Sequence, residues 1–334
     1  MAITLAVDAM GGDFGPRVTV PAALSVLSAS SSIHIILVGQ ESQISPLLQG
    51  IAPNIRARIS IVHTDEMVTM DDKVAVALRN KRQSSMRLAI NLVHDKKAHA
   101  CISAGNTGAL MAISRFVLKT HANIERPAIM TALPTEHGRA YMLDLGANVD
   151  SEAKHLVQFA LMGDVVVRAL EGIAQPRVAL LNIGEEEIKG NELIKQTHQL
   201  LRASALNYVG YIEGDGIFKG EADVVVCDGF VGNVALKTSE GVAKMMAAFI
   251  KQEISRNWLT KLTGALAYPV WRGLKAKMNP SHYNGASLVG LTGIVIKSHG
   301  SADSSSFAQA IKVAIKAVEQ DVPALIQQHM PEQQ

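Results

Sequence analysis

Ala100-Cys-Ile-Ser-Ala-Gly-Asn-Thr-Gly-Ala-Leu110 is the stretch on which the fold turns. A short apolar segment runs into a loop of small polar residues, then into an apolar, helix-favouring run. That is the junction between a strand and a helix. Glycines let the backbone approach a ligand closely. The helix that follows points its free N–H groups and positive dipole end at the same place. Ser103, Asn106 and Thr107 add side-chain donors. Two readings compete: a cradle for phosphate or another oxyanion, and an ordinary turn capped by Asn106 or Thr107.

Outward from this junction the same alternation repeats. Ile3–Val7, Ile33–Val38, Ile59–His63, Arg177–Ile183, Tyr208–Ile212 and Ala222–Cys227 read as short, nearly all-apolar strands. Pro127–Leu133 and Ala140–Leu145 read as neighbouring strands around a turn. Ala286–Ile296 is one apolar run broken by Gly290 and Gly293. Helical patterns fall at Val18–Leu27, Glu41–Leu48, Asp71–His94, Gly108–Leu118, Lys154–Leu170, Glu192–Ala203 and Ser304–Val318, with a long one after Asn233. Apolar strands alternating with helices imply an α/β protein, its mostly parallel sheet covered on both faces in three α/β/α layers. The chain, 1–334, reads as a single catalytic domain of this kind, or as two lobes of one.

Composition narrows the function classes. Hydrophobic residues make up 48% and aromatics only 4%, so Ala, Val, Ile, Leu and Met must build the core. A net charge of +2 gives no basic field suited to nucleic acid. Cys101 and Cys227 belong to no CxxC pair and lie in apolar strand ends, where they read as packing residues. The N-terminus lacks a signal-peptide pattern, and no apolar run approaches the ~18 residues of a membrane span. The expected compartment is the cytoplasm.

In such sheets ligands bind beyond the carboxyl ends of the strands. The loops Ser103–Gly108, Asp144–Asn148, Gly184–Asn191, Asp228–Asn233 and Lys297–Gly300 all follow strands and are expected to share one rim. Asn106, Asn148, Asn191 and Asn233 donate hydrogen bonds without charge, and the last two also sit where they would cap helices. Lys189 and Lys297 offer positive charge to phosphate. His299 exchanges protons near neutral pH. Asp8, Asp144 and Asp228 each end a strand, as a base, a metal ligand or an N-cap. No His-x₃-His spacing marks a metal site. Dinucleotide, P-loop and Gly-x-Ser-x-Gly signatures are also absent.

Segment 251–278 differs from the rest. It holds both tryptophans, Trp258 and Trp271, and six cations (Lys251, Arg256, Lys261, Arg272, Lys275, Lys277) against Glu253. Trp258, Leu262, Leu266, Val270 and Leu274 recur every four residues, and Pro269 is expected to break the run into two arms. This protruding basic amphipathic segment suits an anionic membrane surface or a partner subunit.

Taken in order, Asp8-Ala-Met-Gly-Gly-Asp13, Ser103-Ala-Gly-Asn-Thr-Gly108, Asp144-Leu-Gly-Ala-Asn-Val-Asp150, Asn182-Ile-Gly-Glu-Glu186, Lys189-Gly-Asn191, Asp228-Gly-Phe-Val-Gly-Asn233 and Lys297-Ser-His-Gly300 resemble the PlsX family, phosphate acyltransferases of bacterial phospholipid synthesis. The resemblance spans nearly the whole chain. Val74 stands near where the pattern has a proline, a departure that affects a helix start and puts no chemistry in doubt. The resemblance implies a fold similar to phosphotransacetylase and the isocitrate/isopropylmalate dehydrogenases. It implies acyl transfer from acyl carrier protein to inorganic phosphate without metal or cofactor. It also implies a homodimer, attached peripherally to the inner face of the cell membrane, that hands acyl phosphate to a membrane glycerol-3-phosphate acyltransferase.

On this basis Ser103, Gly105, Asn106, Thr107, Gly108 and Lys189 would hold phosphate. Asn233 and Asn106 would orient the thioester, and His299 or Lys297 would serve the leaving thiolate. Asp144, Asn148, Asn191, Asp228 and Gly232 would complete the binding site. An acidic carrier protein needs a basic face: Arg79, Lys81, Arg82 and Arg87 on one helix, or the segment bearing Trp258, Leu262, Leu266, Trp271, Arg272 and Lys275. The rivals are a metal- and NAD(P)-dependent β-decarboxylating dehydrogenase, which needs paired acids, and a non-enzymatic membrane scaffold.

Overall fold

A computed structural model of the chain describes residues 2–278 and 283–330, with the side chains of 274–278 outside the description. Its strands are β1 (Ile3–Asp8), β2 (Ile33–Gly39), β3 (Ile59–His63), β4 (Ala100–Ser103), β5 (Ala128–Thr135), β6 (Gly138–Leu143), β7 (Val178–Leu181), β8 (Tyr208–Ile212), β9 (Val224–Val226), β10 (Ala286–Val289) and β11 (Ile294–Lys297). They form one sheet in the order β3-β2-β1-β4-β11-β10-β5-β6-β9-β7-β8.

The sheet has two polarities. From β3 to β11 neighbours are parallel, and so are neighbours from β6 to β8. Between these groups β11–β10, β10–β5 and β5–β6 are antiparallel. Three reversals leave the second group running against the first. One register row nonetheless crosses the sheet, from Leu37 through Val7, Ile102, Ile296, Ser287, Met130, Leu143 and Val226 to Leu180. That row lies at or next to the carboxyl end of nearly every strand in both groups. The two half-sheets therefore approach the middle of the molecule from opposite directions.

This corrects the expectation of a single rim. The loops after β4 and β11 leave one half-sheet, and those after β6, β7 and β9 leave the other. The cause is β10, a separate strand that turns back into β11 at Gly290 (φ 92°). Read from sequence, 286–296 is one apolar run broken by Gly290 and Gly293, with nothing in it that marks a reversal of direction.

Alternation along each strand divides the core. Ala6, Cys101, Met142, Val225 and Ala179 point to one face, under the helices Ser85–His94 and Thr107–Leu118 and the start of Gly229–Ser255. Leu5, Val7 and Ile102 point to the other, under Pro16–Ala29 and Ser304–Glu319. Leu143, Val226 and Leu180 join that same face under Ala153–Glu171. Cys101 and Cys227 are buried free thiols.

A second correction concerns Asp71–His94, which is two helices, Val74–Asn80 and Ser85–His94. Ser84 separates them. It accepts from the Arg87 N–H as N-cap of the second helix and donates to the Lys81 carbonyl. Arg79, Lys81, Arg82 and Arg87 therefore do not share one helix. Val74 is the first residue of its helix, a position that proline also suits. As expected, 251–278 breaks before Pro269, into Trp258–Leu266 and Tyr268–Met278. Among the described residues no helix is long and apolar enough to cross a membrane.

Phe159 is fully buried between helix Ala153–Glu171 and the second half-sheet. Phe159→Ala should lower unfolding free energy by about 3–5 kcal/mol, measured by denaturant titration.

Candidate active site

The first half-sheet ends in a buried carboxylate. Asp8 closes β1 and is 1% exposed. Ser85 and Ser103 each donate a hydroxyl to it at 2.6 Å. The Gly105 N–H in turn donates to Ser103 Oγ at 3.0 Å. Burial raises the Asp8 pKa, and the serine donors oppose the rise. Ser103 is thus committed inward. It shapes the loop instead of presenting a donor to solvent. Gly11 must be glycine here, since a Cβ would sit 2.7 Å from Asp8 Oδ2 and 2.9 Å from Gly105 N.

Lys297 lies beside Ser103 in register and is 8% exposed. Its ammonium donates to the carbonyls of Ala104, at 3.3 Å, and Ser298. Burial brings its pKa down to about 8, helped by the charge of Lys237 and opposed by Asp8 and Asp13. A buried cation thus stands against the loop that opens helix Thr107–Leu118. Asn106 caps that helix, accepting from the Ala109 N–H at 3.0 Å, and its amide donates to the Met70 carbonyl at 2.8 Å. Of the two sequence readings of Asn106, the structure shows the helix cap and not an uncommitted donor. Thr107 and Gly108 are exposed. Their amides, like the first N–H groups of any helix, have no intrahelical acceptor.

The second half-sheet repeats the device. Asp144 follows β6, fully buried, and accepts from the N–H groups of Ile129, Ala147 and Asn148 and from Asn148 Nδ2 at 2.7–3.1 Å. Asn148 also donates to the Pro127 carbonyl. Asp228 caps helix Gly229–Ser255 through Phe230 and Val231. Gly232 packs on the Asp144 backbone so closely that a Cβ would fall 1.9 Å from its carbonyl oxygen. These residues fix the loops and leave Asn233 exposed against Gly146.

Helix Gly229–Ser255 links the two halves. Asn233, Lys237 and Glu240 fall on one side of it, at i, i+4 and i+7. Lys237 pairs with Glu240 at 2.9 Å, and Glu240 reaches His299 Nε2 at 3.8 Å. His299 and Lys237 together hold the Glu240 pKa down at about 2. Asn233 is thereby brought to within about 10 Å of helix rise of the residue facing His299. Lys297, His299, Asn233, Lys237 and the helix start at Thr107 form the convergent part of the site.

Lys189 and Asn191 stand apart. Asn191 caps helix Glu192–Arg202 through Ile194 N–H. Lys189 is exposed, without an ion pair among the described residues, on the loop after β7, two strands from β6. Of the basic quartet, Lys81 pairs with Asp72 at 2.5 Å and Arg87 lies over the Phe116 ring. Trp258, Leu262 and Leu266 are exposed, as is Arg272, whereas Trp271 is half-buried. The side chain of Lys275 lies outside the described residues. Sequence reasoning passed over Ser85, Lys237 and Glu240 and left Asp8 out of the site. The usable signals were the Ser84-Ser85 pair and the helical spacing from Asn233. Among the described residues no group of three or more His, Cys, Asp or Glu could hold a metal.

Residues 3–325 match the family described as fatty acid synthesis protein. The chain belongs to that family. It is 61% identical to a phosphate acyltransferase of Alcanivorax borkumensis over 325 residues, 97% of this chain and 96% of the relative. A phosphotransacetylase structure from Streptococcus pyogenes superposes with a TM-score of 0.61 at 17% identity, covering 96% of this chain and 94% of the other. A 4-hydroxythreonine-4-phosphate dehydrogenase from Burkholderia phymatum gives 0.52 at 16% identity, covering 95% and 98%. At those identities the structures share the α/β fold, with helices on both sides of a mostly parallel sheet.

Two outcomes follow from the geometry. Gly232→Ala forces a backbone collision and should cost about 3 kcal/mol or more, read as a fall in melting temperature. Lys297 binds its proton up to about 8 when folded, against 10.5 for an unperturbed lysine. The unfolded chain therefore holds more protons between those values, and stability should rise with pH across that window. Lys297→Met should abolish the rise in a pH series of denaturant titrations.

Proposed function

We propose that the chain transfers a fatty acyl group reversibly from acyl carrier protein to inorganic phosphate, giving acyl phosphate for phospholipid synthesis. Family membership makes the chain an acyltransferase, and its relatives' common activity makes phosphate the acceptor. The observation that carries the reading is the buried Lys297 ammonium beside the loop opening helix Thr107–Leu118. A cation and free helix amides at one point suit a phosphate dianion.

In this mechanism the amides of Thr107 and Gly108 and the charge of Lys297 hold phosphate, with Lys189 as an outer contact. A phosphate oxygen attacks the thioester carbon, the carbon–sulfur bond breaks, and the carrier thiolate leaves. Asn233 steadies the developing oxyanion. His299, oriented by Glu240, passes the proton lost by phosphate to the departing sulfur. Ser103, Asn106, Asp144, Asn148, Asn191 and Asp228 act by holding loops in place.

The assembly follows the same logic. Val234, Val242, Met245, Met246 and Phe249 are exposed along helix Gly229–Ser255, which supports burial against a second copy. Trp258, Leu262, Leu266 and Val270 are exposed on the two arms beside cations, which supports contact with the anionic inner face of the cell membrane, where a glycerol-3-phosphate acyltransferase would take the product. With Lys81 and Arg87 engaged elsewhere, the arms are the stronger candidate for docking acyl carrier protein.

The test is formation of acyl phosphate from acyl-acyl carrier protein and phosphate, with acyl-coenzyme A run in parallel. Lys297→Met should raise the KM for phosphate and cut kcat/KM about 100-fold or more, with Lys189→Ala acting in the same direction more weakly. Absence of acyl phosphate, or equal use of acyl-coenzyme A, would overturn the donor assignment.

A further inference from the structure

On the face of the sheet away from helix Gly229–Ser255 lies a cavity of about 260 Å³. It opens between the half-sheets. β5, β6 and helix Ala153–Glu171 wall it on one side, and helix Ser304–Glu319 on the other. None of the convergent residues around Lys297 and His299 lines it.

Its polar wall is unbalanced. Arg139, Lys312 and Lys316 face it, against the one carboxylate of Glu171. Glu171 is already shared: it accepts the Tyr141 hydroxyl and lies 3.7 Å from both Arg139 and Lys316. Lys312 makes no ion pair among the described residues. Three cations and one acid leave two positive charges unanswered. The rest of the wall mixes uncharged polar side chains, such as Thr131, Ser287 and Gln309, with an apolar part from Ala132, Leu170 and Val313.

We infer that this cavity is a second anion site, for a small aliphatic phosphomonoester. The chemistry selects that class. A phosphomonoester carries about −1.5 to −2 charge at neutral pH and three acceptor oxygens. The Arg139 guanidinium presents a fork of donors that matches them. The volume equals that of roughly eight or nine waters at about 30 Å³ each. It accommodates a phosphate with a body of a few carbons against Leu170 and Val313. A ligand held by Arg139 on one side and Lys312 on the other would tie the half-sheets together.

The inference does not depend on the acyl-transfer reading, and its test keeps them apart. The full chain is titrated with sn-glycerol 3-phosphate by calorimetry, with inorganic phosphate and glycerol as separate arms. The expected result is saturable binding of the phosphomonoester, weakened at least about tenfold by Lys312→Glu, which reverses one contacting charge. Arg139→Gln should weaken it similarly, with melting temperatures reporting that both variants fold. Lys297→Met, at the other site, should leave it unchanged. No saturable heat up to about 10 mM, equal affinity in Lys312→Glu, or loss in Lys297→Met would each overturn it. So would inorganic phosphate alone binding as tightly and with the same Lys312 dependence, since the aliphatic body would then contribute nothing.

Discussion

Three antiparallel pairings in the middle of the sheet decide where everything else can be. A fully parallel sheet of this width would send its carboxyl-end loops to one edge, spread along the whole row of strands. Reversing polarity at β10, β5 and β6 turns the second half round, and the shared register row brings both sets of ends to the centre. Loops from opposite halves then become neighbours across a short distance. A single helix, Gly229–Ser255, spans it from Asp228 to the residue facing His299.

Polarity alone would leave these loops free to move. Each half therefore holds a carboxylate at a strand end, with water excluded. Asp8 and Asp144 lose hydration on burial, a cost of several kcal/mol that only dense hydrogen bonding offsets. Two serines serve Asp8, and three backbone amides with one side-chain amide serve Asp144. Glycines at 11 and 232 permit the approach, because a side chain at either would strike the carboxylate or its backbone. The acids thus act as fixed anchors for loops whose outer faces remain available. Lys297 completes the arrangement: its cation is tolerated next to Asp8 and Asp13, and their charge offsets part of its burial.

Much of this was legible in the amino-acid sequence. Apolar strand segments ending in Asp, Gly or Asn located β1, β4, β6 and β9, and the loop motifs carried the family resemblance. Polarity was not legible, because it depends on which strands pair, and no local pattern in Ala286–Ile296 separates two antiparallel strands from one run with glycines. Side-chain commitment was hidden for a similar reason. Asn106 and Asn233 look alike in sequence, yet Asn106 is held by Met70 and Ala109 whereas Asn233 is exposed. The partner that decides between them lies tens of residues away. The long pattern Asp71–His94 misled because its helical residues continue through a turn that Ser84 caps.

The helix that bridges the halves does not stop at the site. Its first four turns carry Asn233, Lys237 and Glu240, and from there on it exposes Val242, Met245, Met246 and Phe249 before the chain enters the two arms. Helices transmit rigid-body displacement along their axis far better than loops do, since their backbone hydrogen bonds resist local bending. A partner seated on the exposed turns would therefore share one helix with Glu240, which approaches His299 to 3.8 Å. That separation is longer than a direct hydrogen bond, so a shift of less than 1 Å in the helix is enough to make or break the contact. Under the proposed function, docking on the apolar length of this helix and proton transfer at His299 would share one rigid element, and the reacting geometry would be completed only when the exposed face is covered.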